Sequence, residues 1–154
     1  MAVKTDRLVA ELARVSKVGV DSAVLIYHLE DTEPYSELTE AAFGTIAAGR
    51  PAAIVSTISV AEVLVKPYEQ REPARIAAIE RFLTSLPNTS VVAPSLVAAK
   101  DAARLRAKYR IRLPDALLVA TSREQQARAF LTNDTRLRRL RGEQLAVMVL
   151  DDYV

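Results

Sequence analysis

Short apolar runs rich in β-branched residues recur along the chain, at Val18 to Val20, Ile54 to Ser56, Val91 to Ala93, Ala129 to Leu131 and Val147 to Leu150. The stretches between them have helical spacing instead. A helix is expected after Val20 through Ala23, Val24, Ile26, Tyr27 and Leu29. Another runs from about Tyr35 to Ala48, with Leu38, Ala42 and Ile46 on one face and Gly49 stopping it. From Pro73 to Leu86 the residues Ile76, Ile79, Phe82, Leu83 and Leu86 repeat with helical period, and Pro87 and Asn88 close the segment. A helix over Ser95 to Tyr109 buries Ala98, Ala102, Leu105 and Tyr109. It leaves Lys100, Arg104 and Lys108 one turn apart, facing water or a ligand. Strands alternating with helices predict a parallel sheet covered by helices, an α/β fold.

With 154 residues, half of them apolar, the chain is long enough for one domain with its own core. We expect a single domain over 1–154. Residues 1–17 are expected to form an amphipathic helical extension that packs through Leu8, Leu12 and Val15 on the body or on a partner. No repeat, low-complexity tract or linker interrupts it. The absence of Cys excludes disulfides and thiolate metal sites, and His28 alone cannot build a zinc centre. No secretory h-region and no run of eighteen apolar residues occurs, so no membrane role and a cytoplasmic location are expected. Net charge is only +2, but six basic residues fall between Lys100 and Arg112 against the single acid Asp101, and Arg136, Arg138, Arg139 and Arg141 follow. Clusters of this kind suit a phosphate-rich partner, or equally a solvated helix face.

Acids fall where strands end. Asp21 follows Val18 to Val20, Glu62 lies in STISVAEVL, Asp115 opens the helix of RLPDALLVATS, and Asp134 lies in FLTNDTRL. Each has a capping reading. Asp21 and Asp134 suit N-caps, Ser59 with Glu62 matches a Ser-x-x-Glu capping box, and Pro114-Asp115 places an acid at the positive end of a helix dipole. Taken together they say more, because all strands of a parallel sheet end on one edge and ligands bind beyond those ends near a topological switch point. Crowded carboxylates need a counter-charge, and no Lys or His adjoins these four in sequence. A divalent cation answers that need, and oxygen-only ligation selects a hard ion such as Mg²⁺ or Mn²⁺. Such ions support in-line displacement at a phosphodiester without a side-chain nucleophile. In keeping with this, Gly19, Gly44, Gly49 and Gly142 make neither a P-loop nor a dinucleotide fingerprint, and no Gly-x-Ser-x-Gly elbow is present.

With DSAVLIYHLE, STISVAEVL, RLPDALLVATS and FLTND in order, the sequence from about Val18 to Asp152 resembles a PIN domain, most closely the VapC-type ribonuclease toxins of bacterial toxin-antitoxin pairs. The resemblance implies a three-layer fold, a parallel sheet of four to five strands flanked by helices. It implies that Asp21, Glu62, Asp115 and Asp134 bind Mg²⁺ or Mn²⁺ and support endoribonuclease activity. It also implies that the Ser22 and Thr132 hydroxyls hold those carboxylates in place. Arg110, Arg112 and Arg136 are the expected contacts for the RNA backbone. A cognate antitoxin that covers the cleft, and a homodimer, are the implied partners. Two departures stand out: the segment before the first strand is longer than usual, and Tyr109-Arg110-Ile111-Arg112 stands where the family often has Gly.

Two rival carboxylate-metal folds fail on their chemistry. A receiver needs an acceptor Asp after its third strand, where Val91-Val92-Ala93-Pro94 stands, and a haloacid-type phosphatase needs an Asp at Ala23. A PIN-like module that binds RNA or protein without catalysis remains the alternative. Tyr35, Leu38, Phe43 and Ile46 suit either core burial or an antitoxin helix, and Tyr27 and His28 read as structural.

Overall fold

The structure is a computed structural model that describes residues 2–154. Five parallel strands form one sheet: β1 (Lys17–Val20), β2 (Ala52–Ser56), β3 (Thr89–Val92), β4 (Ala129–Thr132) and β5 (Ala146–Val149). Their order is β3-β2-β1-β4-β5, with Gly19 in register with Ile54 on one side and Phe130 on the other. The expected α/β architecture and strand positions hold, with small shifts at the ends. β3 starts earlier and stops at Val92, and Leu150 opens a short 3-10 helix, Leu150–Tyr153, where the fifth strand was expected to continue.

Alternation along each strand sorts the side chains into two cores, as the pleat requires. Val18, Val20, Ala53, Val55, Ala129, Leu131 and Met148 join the first. On that side pack α1 (Ala2–Leu12), α2 (Ser22–Leu29), α3 (Ser36–Ala47), α4 (Thr57–Glu69) and α5 (Pro73–Ser85). Phe130, Val147 and Val149 face the second, with α6 (Leu96–Tyr109), α7 (Leu113–Glu124) and a 3-10 helix, Thr135–Glu143. The result is helix, sheet, helix. Among the described residues no helix is long and apolar enough to cross a membrane.

One glycine sets the spacing of the second face. A Cβ at Gly19 would lie 2.2 Å from Ser122 Oγ and 2.6 Å from a Phe130 ring carbon, so only glycine lets α7 lie this close to β1. That contact fixes the height of α7, and with it Asp115, above the sheet.

Several sequence expectations change. The N-terminal helix ends at Leu12 rather than near residue 17, because Lys17 already belongs to β1; Met1 lies outside the described residues. Leu8 and Leu12 are fully buried, and Arg7 lies over the Tyr153 ring at 4.5 Å, so α1 is stitched to the C-terminal turn. The Ser59-Glu62 capping box does not form. Ser56, the last residue of β2, is the N-cap of α4, its Oγ accepting the Ile58 N–H at 3.1 Å, while Ser59 is buried inside the helix. Two of the three basic residues on the face of α6 are paired. Arg104 reaches Glu143 at 2.6 Å and Asp101 at 2.9 Å, and Lys108 lies 3.5 Å from Glu143. Tyr109 is only half-buried, its hydroxyl on the same Glu143. Leu38, Phe43 and Ile46 are core residues, which removes that face as a docking surface, and half-buried Tyr35 stacks on Tyr27 at 4.5 Å. His28 packs against Phe43 and Phe82, and burial holds its pKa below the usual value.

Candidate functional site

From β1 the chain steps to β2 and then β3 on one side, and returns to β4 on the other side of β1. A crevice therefore opens beyond the C-terminal ends of β1 and β4, the switch point of the sheet. Asp21 is the first residue after β1, and Thr132 and Asp134 end and follow β4. Helices in such a sheet begin at the same edge, which brings the second turn of α4, with Glu62, and the first turn of α7, with Asp115, toward it.

Hydroxyl groups tie the carboxylates together. Thr132 Oγ1 donates to Asp21 Oδ2 at 2.6 Å and accepts the Asp134 N–H at 3.0 Å. Ser22 offers its N–H to Asp21 Oδ1 at 2.7 Å, and its Oγ donates to Glu62 Oε1 at 2.7 Å, lying 2.9 Å from Ser59 Oγ. Asp21 thus caps α2 and still presents free lone pairs, since each carboxylate oxygen accepts more than one bond. Asp134 likewise caps the 3-10 helix through the Arg136 N–H at 3.0 Å.

Asp115 is buried in the first turn of α7, just after Pro114, where the helix-start reading expects an acid at the positive end of the dipole, and among the described residues its carboxylate accepts no hydrogen bond. Burial pushes its pKa up, Arg112 pulls against this, and Asp134 and Glu62 add to the rise. At Asp21 burial pushes the carboxyl up from 3.8 to about 6; the Thr132 and Ser22 hydrogen bonds oppose it, and Asp115 and Glu62 reinforce it. These mutual effects mean the four acids share one electrostatic neighbourhood. Asp134 goes the other way, its pKa lowered because the Arg136 guanidinium grips it, Nε to Oδ1 at 3.0 Å and Nη2 to Oδ2 at 2.8 Å.

Among the described residues no three acids are gathered as tightly as the ligands of one ion. The donor set still fits a hard divalent cation. It is all oxygen, it includes the Asp115 carboxylate, which accepts no hydrogen bond among the described residues, and it holds a second one, Asp21, whose charge the site disfavours until a positive partner arrives.

A family model described as PIN domain matches residues 18–143. The chain belongs to the PIN-domain family. No match to a curated protein sequence is found. Among solved structures, a toxin-antitoxin complex from Klebsiella pneumoniae aligns at TM-score 0.63 and 21% identity over 88% of this chain and 98% of that one. VapBC2 from Rickettsia felis, bound to a DNA fragment from their promoter, aligns at TM-score 0.69 and 13% identity over 86% and 98%. FitAcB from Neisseria gonorrhoeae aligns at TM-score 0.65 and 17% identity over 87% and 97%. At these identities the likeness is one of fold. All of α1 and all of β5 lie outside the stretch of this PIN domain that the family model matches.

The three arginines expected at the site divide. Arg112, the exposed N-cap of α7, and Arg136 both act electrostatically on Asp115. Arg110 caps α6 in the left-handed conformation and pairs with none of the four acids. These two arginines are the counter-charges that a search for adjacent Lys or His overlooks, although Arg136 stands only two residues from Asp134. Ser59 also goes unread as a site residue, because its contact with Ser22 spans 37 positions.

Proposed function

We propose that this PIN domain is a Mg²⁺- or Mn²⁺-dependent endoribonuclease, the toxin of a toxin-antitoxin pair, acting in the cytoplasm as a homodimer that a cognate antitoxin restrains. The position of Asp21, Glu62, Asp115 and Asp134 at one edge of the sheet, within electrostatic reach of one another, carries the reading, and structural neighbours that are toxin-antitoxin complexes support the partner. The four acids would hold the cation, which when bound supplies neutralising charge at a phosphodiester undergoing displacement. Thr132 orients Asp21 and Ser22 orients Glu62, so both carboxylates are fixed before substrate arrives. Arg112, exposed at the rim beside Asp115, draws the RNA backbone toward the acids.

The test is purified protein with mixed RNA, with and without Mg²⁺ or Mn²⁺, followed by Asp21→Asn, Glu62→Gln, Asp115→Asn and Asp134→Asn. Cleavage that needs the ion and disappears in each folded variant is the expected result. Cleavage in chelator, or variants that cut at the parent rate, refutes it. The ion pair on Asp134 favours a second reading, a non-catalytic module that binds RNA or a protein partner. On that reading RNA is bound but never cut, and the four amide variants bind as well as the parent.

A further inference from the structure

The cluster Arg136, Arg138, Arg139 and Arg141 is not uniform. Arg138 is paired with Asp152, Arg139 donates to the Tyr109 carbonyl at 3.1 Å, and Arg141 donates to the Val147 carbonyl at 2.9 Å, all bonds that fasten the 3-10 helix to the body. Arg136 alone is committed to an acid of the cleft. Its fork covers both oxygens of Asp134, while its side chain stays about half exposed. The pair spans two positions in a single turn, so breaking it moves no packed element. We infer that Arg136 competes with the divalent cation for Asp134, holding that carboxylate until the ion takes it and then turning its freed guanidinium to a phosphate of the substrate.

This rests on the reading of the four acids as cation ligands. An ion at Asp134 and a guanidinium on the same oxygens are like charges a few ångströms apart, and one must leave. Asp134 also feels Arg112, and Asp115 feels Arg136, so displacing the fork leaves two cations along one side of the cleft. The planar guanidinium matches a phosphate as well as it matches a carboxylate, which makes the exchange from one to the other chemically even-handed. The same residue thus neutralises Asp134 without the ion and helps place the nucleic acid with it.

The test reads binding, not turnover. Mn²⁺ affinity is measured by titration calorimetry at low salt for the parent, Arg136→Ala, Arg136→Lys, Asp134→Asn and the Arg136→Ala/Asp134→Asn double variant. Arg136→Ala should bind Mn²⁺ about fivefold more tightly, the scale of one exposed ion pair, and Arg136→Lys should recover part of that gain. In the Asp134→Asn background the gain should vanish. A 2′-O-methyl oligoribonucleotide, titrated in saturating Mn²⁺, should bind Arg136→Ala several-fold more weakly, with a salt slope smaller by about one. An Arg136→Ala affinity for Mn²⁺ equal to or below the parent's overturns the inference. So does a gain that persists in full beside Asp134→Asn, the mark of a general field rather than competition for one carboxylate. If the parent binds Mn²⁺ and cuts RNA while Arg136→Ala changes neither affinity, the inference alone falls. If neither the parent nor Arg136→Ala binds Mn²⁺, the reading of the acids falls with it.

Discussion

Replacing Asp21 by Asn should stabilise the metal-free protein at neutral pH. The carboxyl is pushed up from 3.8 to about 6 in the folded chain, mainly by burial. At 1.36 kcal/mol for each factor of ten in proton affinity, the folded state pays about 3 kcal/mol above pH 6 to ionise this group. Asn keeps the shape and removes the charge. Its carbonyl can keep the Ser22 N–H and with it the helix cap, and its amide, in the place of Oδ2, can donate to Thr132 Oγ1 once that hydroxyl turns away. The upper expectation at pH 7.5 is therefore a gain of about 3 kcal/mol, a rise of roughly 6 to 12 °C in Tm for a chain of this length. The sign of the pH dependence follows from the raised value. The folded state binds the proton more tightly, so the wild-type contribution is fully present below 3.8 and is lost as pH rises through about 6. The advantage of Asn should accordingly be near zero at pH 3, grow between pH 4 and 6, and stay level above. Urea melts of both proteins in chelator across that range measure it. Equal stability at pH 7.5, or an advantage that does not change with pH, refutes the electrostatic account of the site.

The remaining predictions touch other parts of the fold. Gly19→Ala should cost about 3 kcal/mol by overpacking, and Ser122→Gly in the same chain should recover part of it in denaturant melts, because Ser122 supplies the nearest atoms. Leu12→Ala should cost about 2 to 5 kcal/mol by the same measurement, since α1 is core and not an appendage. Glu143→Gln should destabilise by roughly 1.5 to 3 kcal/mol at pH 7. Hydrogen bonds from Arg104 above all hold the Glu143 carboxyl down at about 2, so its contribution is present above 4.5 and lost as pH falls through about 2, and the variant's deficit should shrink in acid melts.

What could be read from the sequence depended on distance along it. The central strands are legible because a parallel sheet buries both faces, which turns β1, β2 and β4 into nearly continuous apolar runs. The acids are legible because each lies just after a strand or at the start of a helix, and topology alone carries such positions to one edge. Ser59 misleads for the opposite reason: its local spacing to Glu62 imitates a cap, while its real contact, Ser22, lies on another helix. Arg104 and Lys108 look free until Glu143 arrives from 39 and 35 positions away. Arg136 is the instructive case, since its neighbour Asp134 was in plain view. Nothing in the spacing says whether a side chain two residues off turns inward to the acid or outward to water.

The sheet order has a consequence for synthesis of the chain. β1 is made first, its neighbour on the cleft side, β4, is made more than a hundred residues later, and Thr132 donates its hydrogen bond to Asp21 across that gap. A fragment that stops before β4 lacks one wall of the crevice. Whatever reaction the crevice performs is withheld from the nascent polypeptide until β4 has been made and has paired with β1.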